Sequence, residues 1–178
     1  TAESRAPGHA LALTGRAGLQ VRRAAWQLTF DGAAGTTAVT ARAGGHLAAQ
    51  SLAASTLDGT LRVESPDLGR AVAELAAAGL PLAPAEALDL AGALDANFAL
   101  GGRLRRPRIY GPVAVDRFAA LGASPGSLST HLDADASRVR VREFDARVGG
   151  ARLHGEAGVS LDTGAIAGRL EADVTDAA

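Results

Sequence analysis

The stretch Leu88–Leu100, LDLAGALDANFAL, decides how the chain is read. Its even positions are Leu88, Leu90, Gly92, Leu94, Ala96, Phe98 and Leu100, while Asp89, Asp95 and Asn97 stand at odd ones among alanines. A period of two sends alternate side chains to opposite faces of an extended chain, so the stretch predicts a β-strand with one apolar face. Slipping by one residue would turn the whole apolar set over, and the register is therefore well specified. At about 3.4 Å per residue the run extends roughly 44 Å, well beyond an ordinary strand. A strand of that length needs something to cover its apolar face.

The same alternation continues downstream. After a turn read over Gly101–Pro107, Ile109, Gly111, Val113 and Val115 share one phase. Leu128, Leu132 and Ala134 form the next apolar set, and Val139 and Val141 sit between Arg138, Arg140 and Arg142. The phase flips at Glu143, so that Phe144, Ala146 and Val148 continue the stripe. Leu153, Val159 and Leu161 lead to a turn at Asp162–Gly164, and Ile166, Leu170 and Val174 close the pattern. Residues 88–178 are thus read as a meander of long antiparallel strands.

Upstream, residues 1–64 read as a first strand set. Leu19 and Val21 alternate, as do Trp26, Leu28 and Phe30, with a phase change over Arg22–Ala25 that calls for a bulge or turn. A turn is read at Asp31–Gly35, a strand through Val39 and Ala43 ended by Gly44–Gly45, and another through Leu61 and Val63 with a turn at Asp58–Gly59. Ala41–Gly45 (ARAGG) is echoed by Ala146–Gly150 (ARVGG), which suits a repeated β unit whose strands end there. Residues 65–79 read as one short helix: Ser65 as N-cap, Pro66 in the first turn, Leu68, Val72 and Leu75 at helical spacing, and Gly79 as the stop. A proline-punctuated connector, Leu80–Glu86, leads back to the long strand.

Composition bounds the function. With 178 residues the chain fits a single domain, and 18 basic against 19 acidic residues give no reason to expect a nucleic-acid partner. Without cysteine there is no disulfide framework and no thiolate metal site. The absence of methionine leads us to expect that the chain is a piece of a longer protein. Hydrophobic residues make up 47% but aromatics only 3%, because alanine supplies much of the total, and such side chains fill a broad core poorly. Two architectures meet the pattern. One is a closed sandwich or barrel with a dry core, as in a structural or adhesive β module of a surface-exposed protein. The other is an open sheet whose apolar face takes a lipid or another apolar guest.

Catalytic motifs fare badly. Gly122-Ala-Ser-Pro-Gly126 matches the G-x-S-x-G pattern of a nucleophile elbow, but the residue after the serine must donate an N–H to the oxyanion and Pro125 has none. His131, Asp133 and Asp135 share a strand face, as metal ligands could, yet the polar side of a strand explains them. Asp89 and Asp95 have no evident acid–base partner. Arg103, Arg105, Arg106 and Arg108 crowd one turn, where they could meet phosphates or carboxylates but read as a solvated turn. The sequence assigns no catalytic residue, metal or cofactor.

Asp95–Val115, LDANFALGGRLRRPRIYGPVAV with the preceding Leu94, resembles the "long strand, turn, x-Pro-Arg-hydrophobic-x-Gly, long strand" unit of the TamB/AsmA-like family. Arg138–Leu161, RVRVREFDARVGGARLHGEAGVSL, is similar to the next strands of that unit, and Leu61–Leu75 to the short helix inserted before them. The resemblance implies a mainly β fold of long antiparallel strands curled into an open apolar groove, β-taco-like, with one short helix. It implies a periplasmic location, with the full-length protein anchored in the inner membrane, and a role in moving phospholipid or another acyl-chain lipid and in outer-membrane biogenesis. It also implies an outer-membrane barrel partner reached through the full-length protein. The groove would be lined by Leu88, Leu90, Leu94, Phe98 and Leu100, by Ile109, Val113 and Val115, by Leu128 and Leu132, and by Val139 and Val141. Leu153, Val159, Leu161, Ile166, Leu170 and Val174 would complete it. Open ends and unpaired edges make self-association an expectation for the isolated piece.

Overall fold

The computed structural model describes residues 13–49, 51–77 and 89–174. The readings of Leu88 and of the connector 80–86 fall outside the described residues. Ten strands follow one another in chain order within one antiparallel sheet. They are β1 (Leu13–Arg22), β2 (Ala25–Ala34), β3 (Thr37–His46), β4 (Asp58–Ser65) and β5 (Ala91–Arg103), then β6 (Arg106–Ala119), β7 (Gly126–Asp135), β8 (Arg138–Val148), β9 (Ala151–Ser160) and β10 (Ile166–Val174). A helix, α1 (Leu68–Ala77), stands between β4 and β5. The first and last strands do not pair, so the sheet is open and curled, not a barrel.

The described residues therefore do not form the closed sandwich or barrel. Among the described residues no second sheet faces the first, and the buried apolar residues are Trp26, Ala71, Ala96, Val115, Phe118 and Ala146, half of them alanine. The accessible surface is 12116 Å². A compact monomer of this mass would expose about 8,000 Å². Surface is retained because one sheet with a single short helix cannot cover itself.

Strand ends differ from those read in the sequence because the hairpins are tighter than their glycine and proline content suggests. Asp31–Ala34 stay in β2 and leave Gly35–Thr36 as the turn, while Gly101–Pro107 shrinks to Leu104–Arg105. Asp58–Gly59 lies inside β4, and Gly44–Gly45 inside β3, paired to Gln27 and Trp26. Only the second half of the ARAGG/ARVGG echo is a turn: Gly149 and Gly150 have φ of 56° and 83°, the two left-handed positions of a type I′ hairpin. The phase change at Arg22–Ala25 is the same kind of turn built without glycine, with φ of 47° at Arg23 and 69° at Ala24. The long strand runs Ala91–Arg103, so Leu90 stands just before it.

Helix α1 starts later than its sequence suggests. The Asp67 carboxylate accepts the Arg70 N–H at 3.0 Å, so Asp67 is the N-cap, and the Ser65 hydroxyl instead accepts the Asp67 N–H at 3.4 Å. The charge on Asp67 suits the positive end of the helix dipole.

Two bulges keep the apolar stripe on one face. The β8 ladder is interrupted between Val141 and Phe144 at Glu143 (φ 52°), and β6 between Asp116 and Phe118 at Arg117 (φ 53°). Each inserts one residue in a left-handed conformation, so the phase switches without turning the strand over. Deleting Glu143 would send Phe144, Ala146 and Val148 to the polar face, and urea denaturation should show a loss of at least about 3 kcal/mol. Glu143→Gly keeps the count and removes the strain of a positive φ, and should stay within about 1 kcal/mol of the parent.

Candidate functional site: an apolar face across ten strands

Register turns ten separate stripes into one surface. Leu19 is opposite Leu28, then follow Ala43, Gly59, Leu100, Ile109, Ala134, Val139, Val159 and Ile166, one residue from each strand. No polar side chain interrupts this row. A second row, two residues along, runs Ala17, Phe30, Ala41, Leu61 and Phe98, and beyond Gly111 continues through Leu132, Val141, Ala157 and Gly168. Gly111 gives Phe98 its room: a Cβ on that glycine would stand 2.9 Å from the Phe98 Cα. Nine interstrand spacings of about 4.8 Å make each row roughly 43 Å wide.

One end of this face is covered. Val115, Phe118 and Ala146 form the buried cluster, and Leu68 of α1, Leu90, Leu94, Leu128, Phe144 and Leu153 pack against it. Val115 is thus a core residue, and Leu90, Leu94, Leu128 and Leu153 are partly buried against its cluster. Phe98, Leu100, Ile109, Val113, Leu132, Val139, Val141 and Val159 stay partly exposed, and Ile166, Leu170 and Val174 are exposed on β10. Leu161 follows the end of β9 in a turn and is exposed, and its N–H donates to the Ser137 carbonyl at 2.7 Å.

Sequence reasoning left residues out of this face. Leu19, Leu28, Phe30 and Leu61 alternate visibly, but only the registers of β1–β5 join them to the later strands. Phe118 is the buried anchor of the covered end, and its signal was a second phase flip, at Arg117, like the one at Glu143.

The opposite face is charged and internally paired. Arg108 donates two hydrogen bonds to Asp133, at 2.9 and 2.7 Å, and its guanidinium lies 5.7 Å from the Tyr110 ring centre. Arg142 reaches the same carboxylate at 3.5 Å. Arg62 bridges Glu64 and Asp95 at 2.8 and 3.2 Å, Arg152 pairs with Asp145, and His154 Nε2 lies 3.0 Å from Glu171. The hydrogen bonds from Arg108 and from Arg152 hold the Asp133 and Asp145 carboxyls below the usual carboxylate range. The hydroxyl and N–H of Ser137 bring Asp135 down to about 2.

These pairings also place the remaining candidates. His131 Nδ1 lies 3.2 Å from Glu143, Asp133 belongs to Arg108, and Asp135 accepts from Ser137 and Arg138, so the three do not converge. Ser124 is exposed in the loop before β7, and its carbonyl accepts the Gly149 N–H at 3.2 Å. Asp89 sits in a turn before β5, apart from Asp95. Of the turn arginines, Arg108 is committed to Asp133. Open depressions of about 480 Å³ (Thr40, Thr60, Asn97) and 600 Å³ (Arg140, Gly158, Arg169) lie on this polar face.

Neither protein-family models, nor curated proteins, nor solved structures give a match to this chain.

Because Asp135 titrates at about 2 when folded and at 3.8 ordinarily, its contribution to stability is present above about pH 4 and is lost as the pH falls through about 2. Asp133 and Asp145, also depressed, act in the same direction. The urea midpoint should fall between pH 4 and pH 2, and Asp135→Asn should show a smaller fall over that interval.

Proposed function

We propose that this chain is a non-enzymatic segment of a periplasmic bridge between inner and outer membranes, shielding phospholipid acyl chains on its apolar face. The observation that carries the reading is the unbroken row from Leu19 to Ile166, which stays partly or fully exposed among the described residues while α1 packs at the Val115–Phe118–Ala146 end. Moving a sixteen-carbon chain from an apolar setting into water costs roughly 13 kcal/mol at about 0.8 kcal/mol per methylene. A conduit must therefore offer continuous apolar surface, but without a deep pocket that would hold one lipid too tightly. A face of Leu, Val, Ala and Gly open along its side has both properties, and head groups would remain in water.

The TamB/AsmA-like pattern of residues 94–115 and 138–161 supports the same reading. In the full-length protein, anchored in the inner membrane, an outer-membrane barrel partner would receive the far end of such a track.

Photo-crosslinking side chains installed singly, with diazirine-labelled phospholipid present, test the proposal. Phe98 and Leu132 on the partly exposed rows should give lipid adducts, whereas Asn97 and His131 on the polar face should not. Leu94, partly buried against the Val115 cluster, should label several-fold less than Phe98. Equal labelling at Phe98 and Asn97, or none at either Phe98 or Leu132, would overturn the lipid reading.

A further inference from the structure

Alternating strand directions put the β1–β2 turn, the β3–β4 connection and the β5–β6 turn along one rim of the sheet. The β2–β3 turn and α1 belong to the other rim, where the Glu74 carboxylate accepts the Thr36 N–H at 3.2 Å. The first rim carries Arg22 and Arg23 at one turn and Arg103, Arg105 and Arg106 at the other, all exposed. Among the described residues none of the five has an ion pair, whereas Arg62, Arg108 and Arg152 on the polar face each hold a carboxylate. Of the carboxylates along this rim, Asp135 is taken by Ser137 and Arg138, and Asp58 and Asp162 reach none of the five. Arg103 also stands directly opposite Arg106 in the ladder, where like charges repel.

Both turns are held in place by the same brace. Leu47 donates its N–H to the Ala24 carbonyl at 2.6 Å, which ties the first turn to the β3–β4 connection. At the far end of that connection Leu57 donates to the Gly102 carbonyl at 3.0 Å, and Leu104 donates to that of Ser55 at 2.9 Å. The connection, residues 47–57, contains no charged side chain, so the brace brings no counter-charge. Two basic turns are thus fixed on a neutral support, with a repulsion that a bound anion would relieve.

The apolar row from Leu19 to Ile166 runs alongside this rim. Leu19 is three residues from Arg22, Leu100 three from Arg103 and Ile109 three from Arg106, about 10 Å in each case. Leu19, Val21 and Leu104, interspersed with the arginines, are 66%, 55% and 37% exposed. A ligand that matches both features has an anionic head and an apolar tail. An acidic peptide would answer the arginines and leave the apolar row unmatched. We propose that this rim binds the phosphate of a phospholipid whose acyl chains lie on the adjoining apolar face. The inference rests on the lipid reading above and adds an orientation to it: head groups sit at the arginine rim and not at the rim where α1 packs. Guanidinium forks suit phosphate oxygens, and the long arginine side chains reach past the strand ends. The two turns are four strand spacings apart along the sheet, about 19 Å, so each serves its own head group.

The test compares phosphatidylglycerol with diacylglycerol, both carrying the same diazirine-bearing acyl chains and each delivered to the 178-residue chain from cyclodextrin. Adduct yield is read by mass spectrometry, and circular dichroism checks the fold of every variant. Arg23→Glu and Arg105→Glu should each lower phosphatidylglycerol adducts about fivefold and leave diacylglycerol adducts unchanged. Arg147→Glu makes the same change of charge near the opposite rim and should alter neither. Added salt should lower labelling of the parent by phosphatidylglycerol alone. Labelling by both lipids that R23E and R105E leave unchanged would overturn the head-group rim while the lipid reading stands. An equal fall with diacylglycerol would overturn it as well. No adduct from either lipid would remove the lipid reading, and this inference with it.

Discussion

Everything in this structure depends on keeping the apolar positions in phase from one strand to the next. A β-strand has only two faces, and an error of one residue inverts all that follows. Two-residue turns at Arg23–Ala24, Leu104–Arg105 and Gly149–Gly150 pass the register on with no slack. Where a strand would otherwise drift out of phase, at Arg117 and Glu143, one left-handed residue absorbs the error. The row from Leu19 to Ile166 is the sum of these local devices, and no single hairpin displays it.

The charged face is the counterpart of that row. Exposed ion pairs contribute little to stability one by one. Their number, from Arg62 and Asp95 through Arg108 and Asp133 to His154 and Glu171, makes it costly for this side of the sheet to be buried under a second layer. One face stays wet, and burial is left to the other. There, among the described residues, α1 packs at the Val115–Phe118–Ala146 end. Alanine and glycine across the rest of the rows give a shallow surface with little volume to close upon. The proposed lipid track is a consequence of this imbalance between apolar area and cover.

Local chemistry was legible wherever a period of two ran unbroken. Phe98, Ile109, Val113, Leu132 and Val141 could be placed on one face from spacing alone, and so could the flip at Glu143, where Val141 and Phe144 are too large to mistake. The flip at Arg117 was hidden because Ala119 and Ala120 beyond Phe118 carry no phase. Turn lengths were overestimated at Asp31–Gly35 and Gly101–Pro107, since glycine and proline permit a turn without requiring one and ladder pairing decides how far a strand runs. Leu161 kept the period of its strand but lies past the last paired residue.

The sequence by itself determined that the chain is β, that each strand is apolar on one side, and where the one helix falls, because these follow from interactions between residues two to four positions apart. Only the tertiary structure decided that ten stripes share a single open sheet, that the first strands belong to the same surface as the last, and that β1 and β10 stay apart. Whether edges meet depends on register, twist and bulges summed over the whole sheet, and on the volume available to fill a closed core. Those quantities are set by contacts between residues distant in the chain, which periodicity does not encode.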